Sequence, residues 1–148
     1  MGTWSTSATL DGHPEAVLDV LTDPDACERW SPVAFELEGA KRLAAGSRAR
    51  VGGSIVGKRV EFDVEILEAD ERRLALRAQG PIEIEARYDA RRCGAATCLD
   101  AEVSVRSTGG LLGRVMAGAA DGLLAAGALD SALRRIADEV APAPALAA

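Results

Sequence analysis

Aromatic residues are nearly missing from this chain: two tryptophans, one tyrosine and two phenylalanines make up 3% of its 148 residues. Histidine occurs once, as His13, so any Ser-His-Asp relay or histidine-based metal site would rest on it alone. It sits in a turn before Pro14, where a surface position is explanation enough. Basic residues are outnumbered, 17 Lys plus Arg against 23 Asp plus Glu, for a net charge of -6. A phosphate backbone needs a basic face, so no nucleic-acid partner is expected. The three cysteines, Cys27, Cys93 and Cys98, form neither a C-x-x-C pair nor an even set. That excludes a zinc knuckle and a disulfide framework, and it predicts a reducing compartment, with the cytoplasm as default. Cys93 and Cys98 flank a predicted turn and could meet across it, but ordinary hairpin residues are the simpler reading. The N-terminus shows no basic segment followed by an apolar run, so no secretory signal is expected. "MGTWST" meets the loose myristoylation pattern at Gly2 and Thr6, although Trp4 reads better as a strand start. The one long apolar run, Leu111 to Leu129, is interrupted by Arg114 and Asp121, which predicts a soluble helix rather than a membrane span.

What is present is clear periodicity. Thr3 to Leu10 extends as a first strand with Trp4, Thr6, Ala8 and Leu10 on one face. In "DGHPEAVLDVLTD", Pro14 suits a first helical turn, Glu15 complements its dipole, and Val17, Leu18 and Leu21 share one side. Asp23-Pro24 breaks that helix, and a second short one is predicted to run to about Arg29. From Val33 to Arg106 the period changes to two. Val60, Phe62, Val64 and Ile66 alternate with Glu61, Asp63 and Glu65, and Ile82, Ile84, Ala86 and Tyr88 alternate with Glu83, Glu85, Arg87 and Asp89. Thr97, Leu99, Ala101, Val103 and Val105 do the same against Cys98, Asp100, Glu102, Ser104 and Arg106. Such alternation predicts an antiparallel sheet with one wet face. Leu111 to Val140 reads as one long helix, with Leu111, Leu112, Val115, Ala119, Leu123, Ala126, Leu129, Leu133, Ile136 and Val140 on one stripe. The expected architecture is α+β, a helix-grip fold in which a curved antiparallel sheet of about seven strands wraps a long C-terminal helix, with two short helices after the first strand. One domain over residues 1–141 is expected, long enough to bury roughly 70% of the surface of its unfolded form, with 142–148 as a frayed tail.

The stretch "LDGHPEAVLDVLTDPDACERWSPVAFELEG" resembles the opening of the START-like helix-grip superfamily, especially its polyketide cyclase/dehydrase branch. The match runs through Pro14, Glu15, Leu21, Thr22, Asp23, Pro24 and Trp30, and the order of elements agrees over nearly the whole chain. The resemblance implies a cavity between sheet and helix that takes lipids, polyketides, hormones or other apolar molecules. It does not imply a particular reaction.

The residues that could carry chemistry are few. "GGSIVGKR" places Gly52, Gly57 and Lys58 like a phosphate loop, but Arg59 stands where Ser or Thr would hold Mg²⁺ and a strand follows, so a Gly-rich hairpin is expected. The carboxylates Glu61, Asp63, Glu65, Glu83, Glu85, Asp100 and Glu102 fall on the wet face, with Arg73, Arg77, Arg87 and Arg106 as cross-strand partners. General acid-base work needs a desolvated group beside the substrate, and the apolar face offers almost none. No catalytic residue, metal or cofactor is expected. Trp30 is placed to seal one end of the sheet-helix space, either as core or against a ligand. Tyr88, the one inward phenol, either orients a carbonyl or hydroxyl or bonds to backbone. Gly118 and Gly122 lie inside the predicted apolar stripe, where each costs about 1 kcal/mol of helix propensity relative to Ala. They leave room for a ligand, or else allow the helix to approach the sheet. The expected ligand-binding set is Trp30, Phe35, Phe62, Leu76, Tyr88, Val103, Met116, Ala119, Gly122 and Leu123. Three functions follow: binding or transport of an apolar small molecule, a cyclase or dehydratase using the same cavity, or a protein-interaction domain like chaperone cofactors. A monomer or homodimer fits each of them.

Overall fold

A computed structural model describes residues 2–23, 26, 29–30, 35–37, 44–55 and 58–140, without the side chains of 35–37, 53–55 and 58. Seven strands, β1 (Gly2–Leu10), β2 (Phe35–Leu37), β3 (Arg48–Ile55), β4 (Lys58–Ala69), β5 (Arg73–Gln79), β6 (Ile82–Cys93) and β7 (Ala96–Ser107), form one antiparallel sheet. Their order is β1-β7-β6-β5-β4-β3-β2, so the meander is closed on one side by the first strand. Helix α1 (Pro14–Thr22) follows β1, while α2 (Gly110–Ala125) and α3 (Ala128–Val140) follow β7. Between α1 and β2, the described residues Ala26, Arg29 and Trp30 are helical, in line with the expected second short helix.

The strand faces follow from the period of two. Tyr88 lies beside Leu74 and Ala101, and Ala86 beside Leu76 and Val103, so these apolar side chains share the concave face. The convex face carries cross-strand ion pairs, including Arg77 to Glu85 at 3.1 Å, Arg106 to Glu83 at 3.3 Å, Arg48 to Glu65 at 3.5 Å and Arg73 to Asp89. Turn chemistry sets the register. The Asp70 carboxylate accepts the backbone N–H of Arg72 and of Arg73, both at 2.8 Å, and fixes the β4–β5 turn. Gly94, at φ +65°, closes the tight β6–β7 turn. A bulge between Ile66 and Glu68 shifts the β4–β5 register and leaves Leu67 40% exposed. Bulges increase local twist, which helps the sheet curl.

Helix α1 starts as its sequence predicts, with Pro14 in the first turn and Glu15 near the positive end of the dipole. It buries Val17, Leu18 and Leu21, and the Thr22 hydroxyl donates to the Leu18 carbonyl at 2.7 Å. The expected single C-terminal helix is instead two helices bent by 59°. Gly127, at φ +96°, provides the left-handed residue that ends the first of them. The break also shifts the helical phase. In α3 the buried residues are Leu129, Ala132, Leu133 and Ile136, close to the expected stripe. In α2 they are Gly113, Met116, Ala117 and Ala120, and the expected Leu111, Leu112, Val115 and Leu123 are exposed.

The cause is local. Helix α2 is apolar nearly all round, so periodicity cannot choose its inner side, and the fold presents the smaller side chains to the sheet. A Cβ on Gly113 would stand 2.9 Å from the Pro81 carbonyl oxygen and 3.0 Å from Ser107 Oγ. Gly118 and Gly122 face away and would meet nothing within 4 Å, so neither the cavity nor the close-approach explanation of these two glycines holds. The close approach belongs to Gly113.

Candidate functional site

The concave face has an uncovered middle. Helix α2 lies over β7 and β6 and reaches β3, α3 packs on β1 and α1, and α1 packs on β5 and β6. Between these supports Val64, Leu76 and Ile84, set diagonally on β4, β5 and β6 around the small side chains of Ala78 and Ala86, pack against the core yet stay only partly buried. Residues on the inner side of a sheet retain accessible surface only where nothing is pressed onto them. This apolar bay is the candidate site.

Its walls can be assigned residue by residue. Trp30 is 4% exposed, its Nε1–H donates to the Val20 carbonyl at 3.3 Å, and its ring meets Tyr88 edge-on at 5.4 Å and 79°. The indole therefore caps the α1 end of the bay, with its polar atom satisfied by backbone. Tyr88 and Val103 are buried on the sheet, Phe62 packs under the β5–β6 turn, and Met116 reaches in from α2. A Cβ on Gly80 would collide with Phe62 Cδ1 at 2.8 Å, so this turn needs glycine for space rather than for conformation. Leu76 forms part of the floor. Ala119 is half-buried at the margin. Gly122 is not part of the bay, because it is exposed on the outer face of α2, and Leu123, 47% exposed, extends the stripe of Met116 and Ala119 past the bay's margin. Phe35 pairs with Gly53 on β2, and its side chain lies outside the described residues.

Polar chemistry in the bay is sparse. Thr97 is fully buried and donates to the Gly12 carbonyl at 2.8 Å, tying the tip of the β6–β7 hairpin to the β1–α1 junction. Every buried side-chain nitrogen and oxygen among the described residues has a hydrogen-bond partner. Arg59 is exposed and its guanidinium lies over Gly52, so it does not turn into the bay. No cluster of three or more His, Cys, Asp or Glu among the described residues could hold a metal ion. One carboxylate approaches the enclosed side. Asp121 on α2 is half-buried and accepts the Trp4 indole N–H at 3.1 Å, joining α2 to β1. Sequence reasoning missed this pair, and its one visible signal was a single acid in an otherwise apolar helical run.

Two other features lie outside the bay. A cleft of about 240 Å³ between α1 and the β4–β5 turn is lined by Glu15, Leu18, Asp19, Thr22, Ala69, Asp70 and Glu71. Cys93 and Cys98 are joined by a disulfide across the β6–β7 hairpin, which corrects the plain hairpin reading of these two residues.

A curved seven-stranded sheet, short helices after the first strand and helices closing its concave side now stand beside a matching sequence profile. Residues 1–141 match the model of the family described as polyketide cyclase / dehydrase and lipid transport. The chain belongs to that family. Solved structures agree with this polyketide cyclase/dehydrase-type fold. The TTHA0849 protein of Thermus thermophilus is 19% identical, with a TM-score of 0.71 over 94% of this chain and 97% of that one. A START superfamily protein from Mycobacterium smegmatis is 19% identical, with a TM-score of 0.67 over 94% and 99%. DynU16, a protein of the dynemicin biosynthetic locus, is 20% identical, with a TM-score of 0.60 over 92% of this chain and 46% of that one. At these identities the likeness is one of fold. No curated protein sequence matches the chain. Family membership supports ligand binding or cyclase-type chemistry in general terms. Among the described residues no single helix is long and apolar enough to cross a membrane.

Proposed function

We propose that the protein binds an apolar small molecule, lipid-like or polyketide-like, in the bay over β4, β5 and β6. The observation that carries this reading is the part-exposed cluster of Val64, Leu76 and Ile84 inside an otherwise buried concave face. Pockets of this kind hold ligands mainly through apolar area, with a few polar groups setting orientation. In this reading Tyr88 takes that task. With none of the described carboxylates among the bay residues named above, a proton relay has little to draw on, which favours sequestration or presentation over turnover. The reading keeps the protein in the cytoplasm, where the Cys93–Cys98 bond would be reduced to a dithiol.

Native mass spectrometry before and after solvent extraction, followed by titration with an apolar fluorescent probe, tests this directly. Val64→Phe and Leu76→Trp fill the bay and are expected to weaken probe binding at least ~10-fold while leaving the unfolding midpoint level or higher. Gly122→Leu, on the outer face, should leave binding unchanged. Unaltered probe binding in both bay-filling variants would sink the assignment.

The family description favours a second reading, a cyclase or dehydratase in which the shape of the bay folds a poly-β-keto chain. It predicts turnover of a poly-β-keto thioester that Tyr88→Phe abolishes while probe affinity stays within ~3-fold.

A further inference from the structure

A helix on a protein surface normally keeps one polar side. Helix α2 does not. Of its two charged residues, Asp121 is held by Trp4 and Arg114 alone is exposed. Turned away from the sheet stand Leu111 and Val115, at 79% and 55% exposure, and the patch continues onto the helix's flank through Leu112 and Leu123, at 49% and 47%. With side chains of roughly 170–200 Å² each, the patch is on the order of 400 Å², within the range where the largest patch of a monomer is often functional.

We propose that this outer face of α2 is where a second copy of the chain docks, forming a two-fold homodimer across paired α2 helices. Area is the first argument. A stable interface covers about 800 Å² per partner, of which a little over half is apolar. The four side chains supply nearly that apolar core, and a ring of neighbouring polar surface completes it. Shape is the second argument. Gly118 and Gly122 share this face and have open space beyond them, so two helices crossing there approach closely, and Val115 of one copy fits the gap left by glycine on the other. Charge excludes the main rival. A net charge of -6 and a single exposed Arg on the helix give nothing to attract an anionic membrane. The same charge repels between copies except through an uncharged patch, so dimerisation strengthens as salt is added. The patch is centred on the side of α2 turned away from the sheet, and the proposal stands independently of the ligand.

Sedimentation velocity of the full chain across a wide concentration range tests it. Wild type is expected to pass from monomer to dimer, and Leu111→Glu with Val115→Glu is expected to weaken the dimer by ~100-fold or more without moving the unfolding midpoint of the dilute protein, since both side chains are already exposed. Gly118→Leu separates this crossing from a merely sticky patch. It adds apolar area, yet it is expected to abolish dimers. Val115→Cys is expected to oxidise to a cross-linked dimer, whereas Glu102→Cys on the convex face is not. A wild type that stays monomeric at every concentration, a Gly118→Leu variant that associates as well or better, or a monomer that floats with phosphatidylglycerol vesicles would each overturn the proposal.

Discussion

Trp30 links three parts of the molecule through one side chain. Its ring faces Tyr88 on the sheet, its N–H is bonded to α1, and its carbonyl accepts Arg135 Nε of α3 at 3.4 Å. Trp30→Ala is expected to cost about 3–5 kcal/mol in urea unfolding, because the surroundings cannot collapse into so large a gap. Trp30→Phe keeps the ring contact and should cost less than half as much. Two glycines of α2 should respond with opposite sign. Gly113→Ala forces a Cβ against backbone and lowers stability, whereas Gly122→Ala, in open space, raises it by about 1 kcal/mol when both are measured at high dilution. Reversed signs would show that the two faces had been exchanged. Glu139 supplies a pH signature. The hydrogen bond from Arg29, 2.6 Å from Nε to Oε1, and the charge of Arg29 hold its carboxyl below the usual glutamate range, against the opposing effects of burial and Asp23. A carboxyl whose pKa is lower folded than unfolded adds stability above the ordinary value of ~4.3 and loses it as pH falls through the folded value. Arg29→Ala should therefore destabilise at neutral pH and match wild type at the acid end of a chemical-denaturation series.

At the level of elements, the β6–β7 hairpin is held twice, by its ladder and by the Cys93–Cys98 bond. The bridged residues are only five apart, so chain entropy assigns the link about 2 kcal/mol. Replacing both with Ser should lower the unfolding free energy of the oxidised protein by that amount, while the ladder keeps the register. A loss well above that would mean the tip depends on the bond for its pairing. The strands were the most legible part of the sequence. In β6 and β7 every second residue is apolar, and a half-exposed sheet allows only one assignment of such a pattern to faces. Helix α2 was not legible, because apolar residues on both of its sides give two stripes of similar strength. The choice between them depends on Pro81 and Ser107, which only the folded chain brings to Gly113. The break at Gly127 was equally hidden, since a glycine inside an apolar pattern reads as readily as an interruption as an end. Of the expected bay residues, Trp30, Phe62, Leu76, Tyr88 and Val103 were reachable from strand parity and the Trp junction. Gly122 failed with the helix that carried it. The Trp4–Asp121 bond joins residues 117 apart, a pairing that no local pattern encodes.

On the scale of the whole molecule, charge is arranged by layer. Acidic and basic groups cross-link the convex face, and the concave face is left to hydrocarbon and a few satisfied polar atoms. The ligand capture proposed above should then depend weakly on salt, in contrast to the proposed self-association through α2, which salt should favour. The sheet also has an order of assembly built into it. Its first strand lies against its last, so that Thr3 meets Ser104, 101 positions further along the chain. A nascent polypeptide emerging from its N-terminus must hold β1 without a neighbour until β7 has been made, and Trp4 has no acid to bond until α2 follows. Productive closure therefore waits for β7 and α2, and refolding should run in the millisecond-to-second range typical of sheets paired between distant segments rather than at the pace of a helical bundle.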